Sequence, residues 1–256
     1  MSVIWITGAS SGIGRALALR LADDGHHVAA SARRADALTE LGAETQAASG
    51  ASHPYPLDVT DRRAIAAAVA GIERDLGPID VAVLAAGTHQ PVSAEAFEAD
   101  EFARLVAINL VGVGNCLEPL LRSMIARRRG RIALVSSVAG YRGLPTSSYY
   151  GATKAALINL AESLKFDLDR HGVTMQLINP GFVRTPLTDK NEFAMPFLIE
   201  AEAAAERRQG IGELELRDHL PAPLHLPAEA AALPALPPLL PAGGAGDAKM
   251  SLATRH

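Results

Sequence analysis

The sequence predicts an α/β fold, a doubly wound parallel sheet with helices on both faces. Three observations carry this. Short apolar, β-branched runs alternate with helical patterns from Val3 to Asn179, the order that right-handed strand–helix–strand crossovers require. A glycine-rich turn, TGASSGIG, joins the first run to the first helical pattern. Gly8 to Gly14, Asp58, Gly87, Ser137 and Pro180 all fall at strand carboxyl ends, where such sheets bind ligands.

The elements follow in order. Val3–Thr7 is a buried strand. The turn after it carries Gly8, Gly12 and Gly14, and the helix Ile13–Ala22 follows with Leu17, Leu19 and Leu21. Strand, glycine turn and helix form the context of a dinucleotide fingerprint, in which the pyrophosphate sits on the helix N-terminus. The spacing is Gly-x-x-x-Gly-x-Gly. His27–Ser31 is the second strand and ends in Ala32, Arg33 and Arg34. An acidic residue at this strand end binds a ribose 2′-hydroxyl, whereas arginine accommodates a 2′-phosphate. Arg33 therefore favours NADP(H) over NAD(H); the other reading is two solvated arginines at a helix start.

His53–Leu57 is expected as the third strand, ended by Asp58, and Asp61–Leu76 as an alanine-rich helix. Asp80–Ala86 is expected as the fourth strand, closed by Gly87. A long helical pattern, Phe97–Arg127, contains Asn109, Gly112 and Gly114. Arg131–Ser136 is the fifth strand, Tyr149–Arg170 the next helix, and Val173–Asn179 the sixth strand, stopped by Pro180 and Gly181. Tyr150 and Lys154 stand four residues apart, so they share a helical face. Ser137, at the tip of the fifth strand, brings a hydroxyl toward that phenol and ammonium.

Composition bounds the partners. The 256 residues suit one large α/β domain or two small ones, and at 48% apolar they supply a sizeable core. A net charge of −4 gives no reason to expect nucleic acid or a membrane surface. No apolar run of the roughly 18 residues a membrane helix needs is expected. The N-terminus runs directly into a strand, with no leader pattern. Cys116 is the one cysteine, which fits a reducing cytoplasm. The eight histidines are scattered and give no metal signal. His89, near the end of the fourth strand, reads as a solvated loop residue rather than a substrate contact. No Gly-x-Ser-x-Gly elbow is present, which counts against an esterase.

Jointly, TGASSGIG, Asp58, Asn109, Ser137, Tyr150, Lys154 and PGFVRT, from Pro180 to Thr185, resemble the motifs of the short-chain dehydrogenase/reductase family in order and spacing. The likeness covers about residues 3–205. It implies a Rossmann-type fold and NAD(P)-dependent interconversion of alcohols and carbonyls. Tyr150 would be the acid/base, Lys154 its activator and ribose anchor, Ser137 the carbonyl polariser, and Asn109 the support of a proton-relay water. Gly8, Ser10, Ser11, Gly12, Ile13, Gly14, Arg33, Asp58, Val59, Ala86, Gly87, Pro180, Gly181 and Val183 would line the cofactor together with Tyr150 and Lys154, with Thr185 on the nicotinamide carboxamide. A homodimer or homotetramer through the helices holding Asn109 and Tyr150 is implied as well.

One departure stands out. The family's Asn-Asn-Ala-Gly is here Leu84, Ala85, Ala86 and Gly87, so weaker hydrogen bonding and lower local rigidity are expected at this turn. Moving a phenol from a pKa of about 10 to near 7 takes about 4 kcal/mol. A cation about 4 Å away at an effective dielectric of about 20 supplies that much, so Lys154 is expected to lower the Tyr150 pKa. The alternative function is a non-catalytic NAD(P)-binding regulator or scaffold on the same fold. Phe193, Met195, Phe197, Leu198 and Tyr141 suggest an apolar substrate.

The end of the chain departs from this pattern. Residues 1–205 read as the catalytic domain and 206–256 as an irregular Pro/Ala/Leu-rich tail. Seven of the 21 residues from Pro221 to Pro241 are proline, which excludes a regular helix or a central strand. The abrupt change predicts a shifted reading frame beginning between Arg207 and Leu216, and with it the loss of a seventh strand.

Overall fold

The computed structural model describes residues 1–190, 195 and 197–206. The proposed frame shift, the missing seventh strand and Phe193 lie outside the described residues. Six strands, β1 Val3–Thr7, β2 His27–Ser31, β3 Ala51–Pro54, β4 Val81–Leu84, β5 Gly130–Val135 and β6 Val173–Ile178, form one sheet in the order β3-β2-β1-β4-β5-β6. Every described strand pair is parallel. The order reverses between β1 and β4, so the ligand crevice of this topology opens at their carboxyl ends.

Alternation along the strands feeds two cores. Ile4 and Ile6 face one side, with Leu17 and Leu21 of α1 (Gly12–Asp23) and Leu38 and Leu41 of α2 (Ala35–Glu44). Trp5, between them, faces the other side, with Ile65 and Ile72 of α3 (Arg62–Asp75), Leu117 and Leu120 of α5 (Gly112–Arg127), and Leu157 and Leu168 of α6 (Ser148–Arg170). Both faces being covered, the strands read as continuous apolar runs. Asp61 caps α3, its Oδ1 accepting from the Arg63 and Ala64 amides, worth about 1 kcal/mol.

Three expected elements change. The third strand, Ala51–Pro54, begins and ends earlier than His53–Leu57. The chain beyond it still runs beside β2, with the Tyr55 and Leu57 amides donating to Ala30 and Ala32 oxygens at 2.8 and 3.0 Å; this carries Asp58 to the crevice. The fourth strand stops at Leu84 rather than Ala86, because the Ala85 and Ala86 amides turn to Thr7 Oγ1, at 3.1 and 3.2 Å. That hydroxyl bonds the backbone of the turn where Leu84 and Ala85, standing for the family's two asparagines, were expected to weaken hydrogen bonding.

The long pattern from Phe97 is not one regular helix. α4 (Ala99–Val106) and α5 are joined by a π turn, Ala107–Val111, centred on Asn109. Single π turns of this kind recur at functional sites. The span Ala99–Arg127 is also long and apolar enough, by length and composition, to cross a membrane, against the expectation that no such run exists. Its apolar side packs against the sheet's core through Val113, Leu117, Leu120 and Met124, and Leu105 is buried too. α2 and α7 (Ala201–Glu206) were not assigned from the sequence.

Candidate active site

The crevice is made of backbone at close quarters. Gly8 has φ +77°, and a Cβ there would meet the Ala86 Cα at 2.9 Å. A Cβ on Gly14 would overlap the Gly8 carbonyl oxygen, and one on Gly12, at φ +55°, would lie 2.8 Å from Thr185 Cγ2. Ser11 occupies the N-cap of α1 without a side-chain cap bond. The first amides of α1 have no partner within the helix, so the Gly12–Ile13–Gly14 end faces the crevice as an anion seat. These features fit the pyrophosphate of a dinucleotide.

The other expected cofactor residues border the same crevice. Arg33 is exposed just beyond β2, and its charge helps to hold the Asp58 carboxyl below its ordinary range. The larger cause is Asp58 Oδ1 accepting from Thr60 N at 2.9 Å, backed by Thr60 Oγ1 at 2.8 Å. Arg34 takes a different route, donating to the Ser10 carbonyl at 2.8 Å. Val59 is buried against the start of α5, where a Cβ on Gly112 would meet its Cγ2 at 2.7 Å. Pro180 accepts from Val138 N. Gly181 has open space around its would-be Cβ, and Val183 is buried, bridged to Ile199.

The four expected catalytic residues converge. Asn109 is fully buried. Its Oδ1 accepts from Thr88 N at 2.8 Å, and its Nδ2 donates to Thr88 O at 2.9 Å and to Thr153 Oγ1 at 3.1 Å. Thr153 in turn donates to the Tyr150 carbonyl at 2.7 Å. Ser137, at the N-cap of the turn Val138–Gly140, accepts from Ala139 N and is hydrogen-bonded to the Tyr150 phenol. Lys154 Nζ donates to Val135 O at 2.8 Å and lies 5.4 Å from the Tyr150 ring centroid.

The electrostatics correct one expectation. Burial raises the Tyr150 phenol pKa above its ordinary value, and only the hydrogen bond with Ser137 opposes this. Burial also drives the Lys154 ammonium down to about 8. Lys154 is thus committed to the Val135 carbonyl, and the lowering of the phenol expected from its charge is not in place.

Three further residues build the site. Thr7 ends β1 and ties down the Ala85–Ala86 turn; Thr153 links Asn109 to Tyr150, one helical turn after the tyrosine. Both are legible as hydroxyls adjoining the glycine turn and the Tyr-Lys pair. His89 overturns its reading as a solvated loop residue. It is buried, its ring centroid 5.0 Å from that of Tyr150 in an edge-on arrangement. Its carbonyl accepts from Lys190 Nζ at 3.0 Å, and Val92 N bonds Thr146 O at 2.9 Å, folding its loop inward.

A cavity of about 60 Å³ opens on Tyr150 and Ser137, with His89, Leu144, Phe182, Leu187 and Thr188 in its wall. Tyr141 and Phe197, expected to face an apolar substrate, are exposed. Tyr149 turns away, its hydroxyl donating to Glu98 O at 3.0 Å.

The chain resembles known proteins over the same region. A family model described as short chain dehydrogenase matches residues 2–195. The 3-oxoacyl-[acyl-carrier-protein] reductase of Thermotoga maritima is 35% identical over 188 residues, which is 73% of this chain and 76% of the relative. The solved structure of NAD+-bound xylitol dehydrogenase aligns with a TM-score of 0.69 at 33% identity, covering 72% of this chain and 71% of that one. A variant of actinorhodin polyketide ketoreductase with NADPH aligns at 0.75 and 27% identity, covering 82% and 89%.

Proposed function

The chain belongs to the short-chain dehydrogenase/reductase family and is an NAD(P)-dependent oxidoreductase acting on carbonyl and alcohol groups; from that premise we propose that it uses NADP(H), with Tyr150 as its acid/base. The observation that carries the reading is the Tyr150 phenol, bonded to Ser137 at a cavity wall with Lys154 near its ring. Hydride is supplied or taken up by the bound nicotinamide. Ser137 orients the substrate oxygen, and Tyr150 gives it a proton during reduction or removes one during oxidation. Burial keeps the phenol protonated, the form that donates to a substrate oxygen. Asn109 anchors the loop that closes the site, through both backbone groups of Thr88.

The NADP(H) preference rests on Arg33 at the end of β2, with no acidic residue in that place. Gly8 to Gly14, Asp58, Val59, Ala86, Gly87 and Pro180 to Thr185 would hold the dinucleotide. We place the enzyme in the cytoplasm, supported by the buried Cys116, whose thiol is pushed up to about 12. A homodimer or homotetramer is read from Val111 and Phe166, which are 52% and 74% exposed on the helical elements holding Asn109 and Tyr150; light scattering tests it. Residues 1–205 are read as the catalytic domain and 206–256 as a tail, and sequencing the gene tests the proposed frame shift. Turnover of a panel of aldehydes, ketones and alcohols with NADPH and with NADH tests the function. Inactivity on the whole panel overturns it.

A further inference from the structure

We propose that His27 and His53 form a binding site for a late first-row divalent cation, such as Zn²⁺ or Cu²⁺, held by one nitrogen of each ring. The site is separate from the reaction proposed above. His27 opens β2, so the pair lies away from the strand carboxyl ends that form the crevice.

Strand register brings the two rings together. β2 and β3 run parallel, with Ala29 opposite His53. Side chains alternate along a strand, so His27 shares the face of Ala29 and therefore of His53. The rings are 26 residues apart in the chain, yet their centroids are 5.3 Å apart and their planes tilted by 47°. His27 Nδ1 and His53 Nε2 stand 3.2 Å from one another. Two nitrogens bound at about 2.0–2.1 Å to one tetrahedral cation are about 3.3–3.4 Å apart, and neighbouring ligands of a tetragonal one about 2.9 Å. The observed gap lies between these values, so a cation requires little movement of either ring. Paired strands hold both residues on a rigid support.

The donor chemistry agrees. Neutral imidazole is the ligand form, and it suits zinc and copper. Burial, and after it the charge of His27, holds the His53 pKa below its ordinary value, which favours that form. Both rings are half-buried, so solvent and a hydrated cation reach them. Entry of the cation replaces the hydrogen bond between the rings. The donor ring passes its proton through solvent to its other nitrogen, so both rings stay neutral and each offers a lone pair. Among the described residues no third histidine, cysteine, aspartate or glutamate completes a cluster, so water fills the remaining positions. β3 stands at one end of the strand order, and a cation here ties that outer strand to its neighbour.

The test is calorimetric titration of the full chain with Zn²⁺ at neutral pH, with Mg²⁺ as the contrast, on the native protein and on His27→Gln and His53→Gln. Glutamine keeps a hydrogen-bonding side chain in place but is a poor zinc ligand. The native chain should bind Zn²⁺ in preference to Mg²⁺. Loss of an outer-shell partner alone costs about 10–100-fold in metal affinity, so each variant, lacking a ligand, should bind at least about tenfold more weakly. Zn²⁺ should also protect both rings from modification by diethyl pyrocarbonate, read residue by residue by mass spectrometry. That measurement needs only the native chain. Absence of Zn²⁺ binding, native affinity retained in either variant, or labelling of either ring unaffected by Zn²⁺ overturns the assignment.

Discussion

The amide of Asn109 grips both backbone groups of Thr88, accepting from its N–H at 2.8 Å and donating to its carbonyl at 2.9 Å. A π turn in the middle of a long helical span is thereby bonded to the loop that follows β4. Replacing Asn109 with Ala leaves two backbone groups without these partners. Stability should fall by about 1–3 kcal/mol, read as a lower urea midpoint with an unchanged slope, and activity should fall with it. An unaltered midpoint would show that the grip is dispensable.

Two adjacent tyrosines separate cleanly. Tyr150→Phe removes the phenol facing Ser137, and turnover should drop by at least about 10²–10⁴-fold while NADPH binding, followed by fluorescence titration, stays nearly intact. Tyr149→Phe removes both bonds its hydroxyl makes with the Glu98 backbone, donating to O at 3.0 Å and accepting from N at 2.5 Å. It should keep kcat and lose about 1 kcal/mol of stability. A reversed pattern would move the acid/base role to Tyr149.

Arg33 and Arg34 should differ as well. Arg33→Ala should reduce the preference for NADPH over NADH by about one to two orders of magnitude, the value of a charge-assisted phosphate contact. Arg34 holds the Ser10 carbonyl of the glycine turn, so Arg34→Ala should raise KM for both cofactors alike. Steady-state kinetics with each cofactor distinguishes the two, and equal effects from Arg33→Ala rule out its role as the 2′-phosphate reader.

Lys154 gives the stability a pH signature. Its pKa falls from 10.5 in the open chain to about 8 in the fold, so between these values the unfolded chain binds a proton that the folded chain does not. Stability from this group is therefore fully present above pH 10.5 and is lost as pH falls through about 8. Lys154→Met lacks the effect. The difference in unfolding free energy should shift toward the native chain as pH rises across this window, read by denaturant titration at several pH values. A pH-independent difference would mean that the ammonium is not desolvated in the fold.

Much of the site was legible because its parts are local. Gly8, Gly12 and Gly14 sit in one turn, and Tyr150 and Lys154 are one helical turn apart, so chain geometry alone predicts their grouping. Ser137 followed from its place at the tip of the fifth strand, and Asn109 from the resemblance. The ends of β3 and β4 were misjudged, because strand ends depend on where amides find partners. Thr7 Oγ1 draws off two amides at the end of β4, a partner that is not visible in a hydropathy pattern.

The sequence by itself determined the α/β alternation, the glycine turn and the set of residues able to move a proton, since these follow from periodicity, spacing and chemical type. Only the tertiary structure decided that His89 is buried beside Tyr150, and that the Tyr150 phenol is raised rather than lowered. Each of these depends on desolvation and on partners distant in the chain, such as Lys190 for His89 and Val135 for Lys154, and burial is a property of packing that no local stretch of sequence contains.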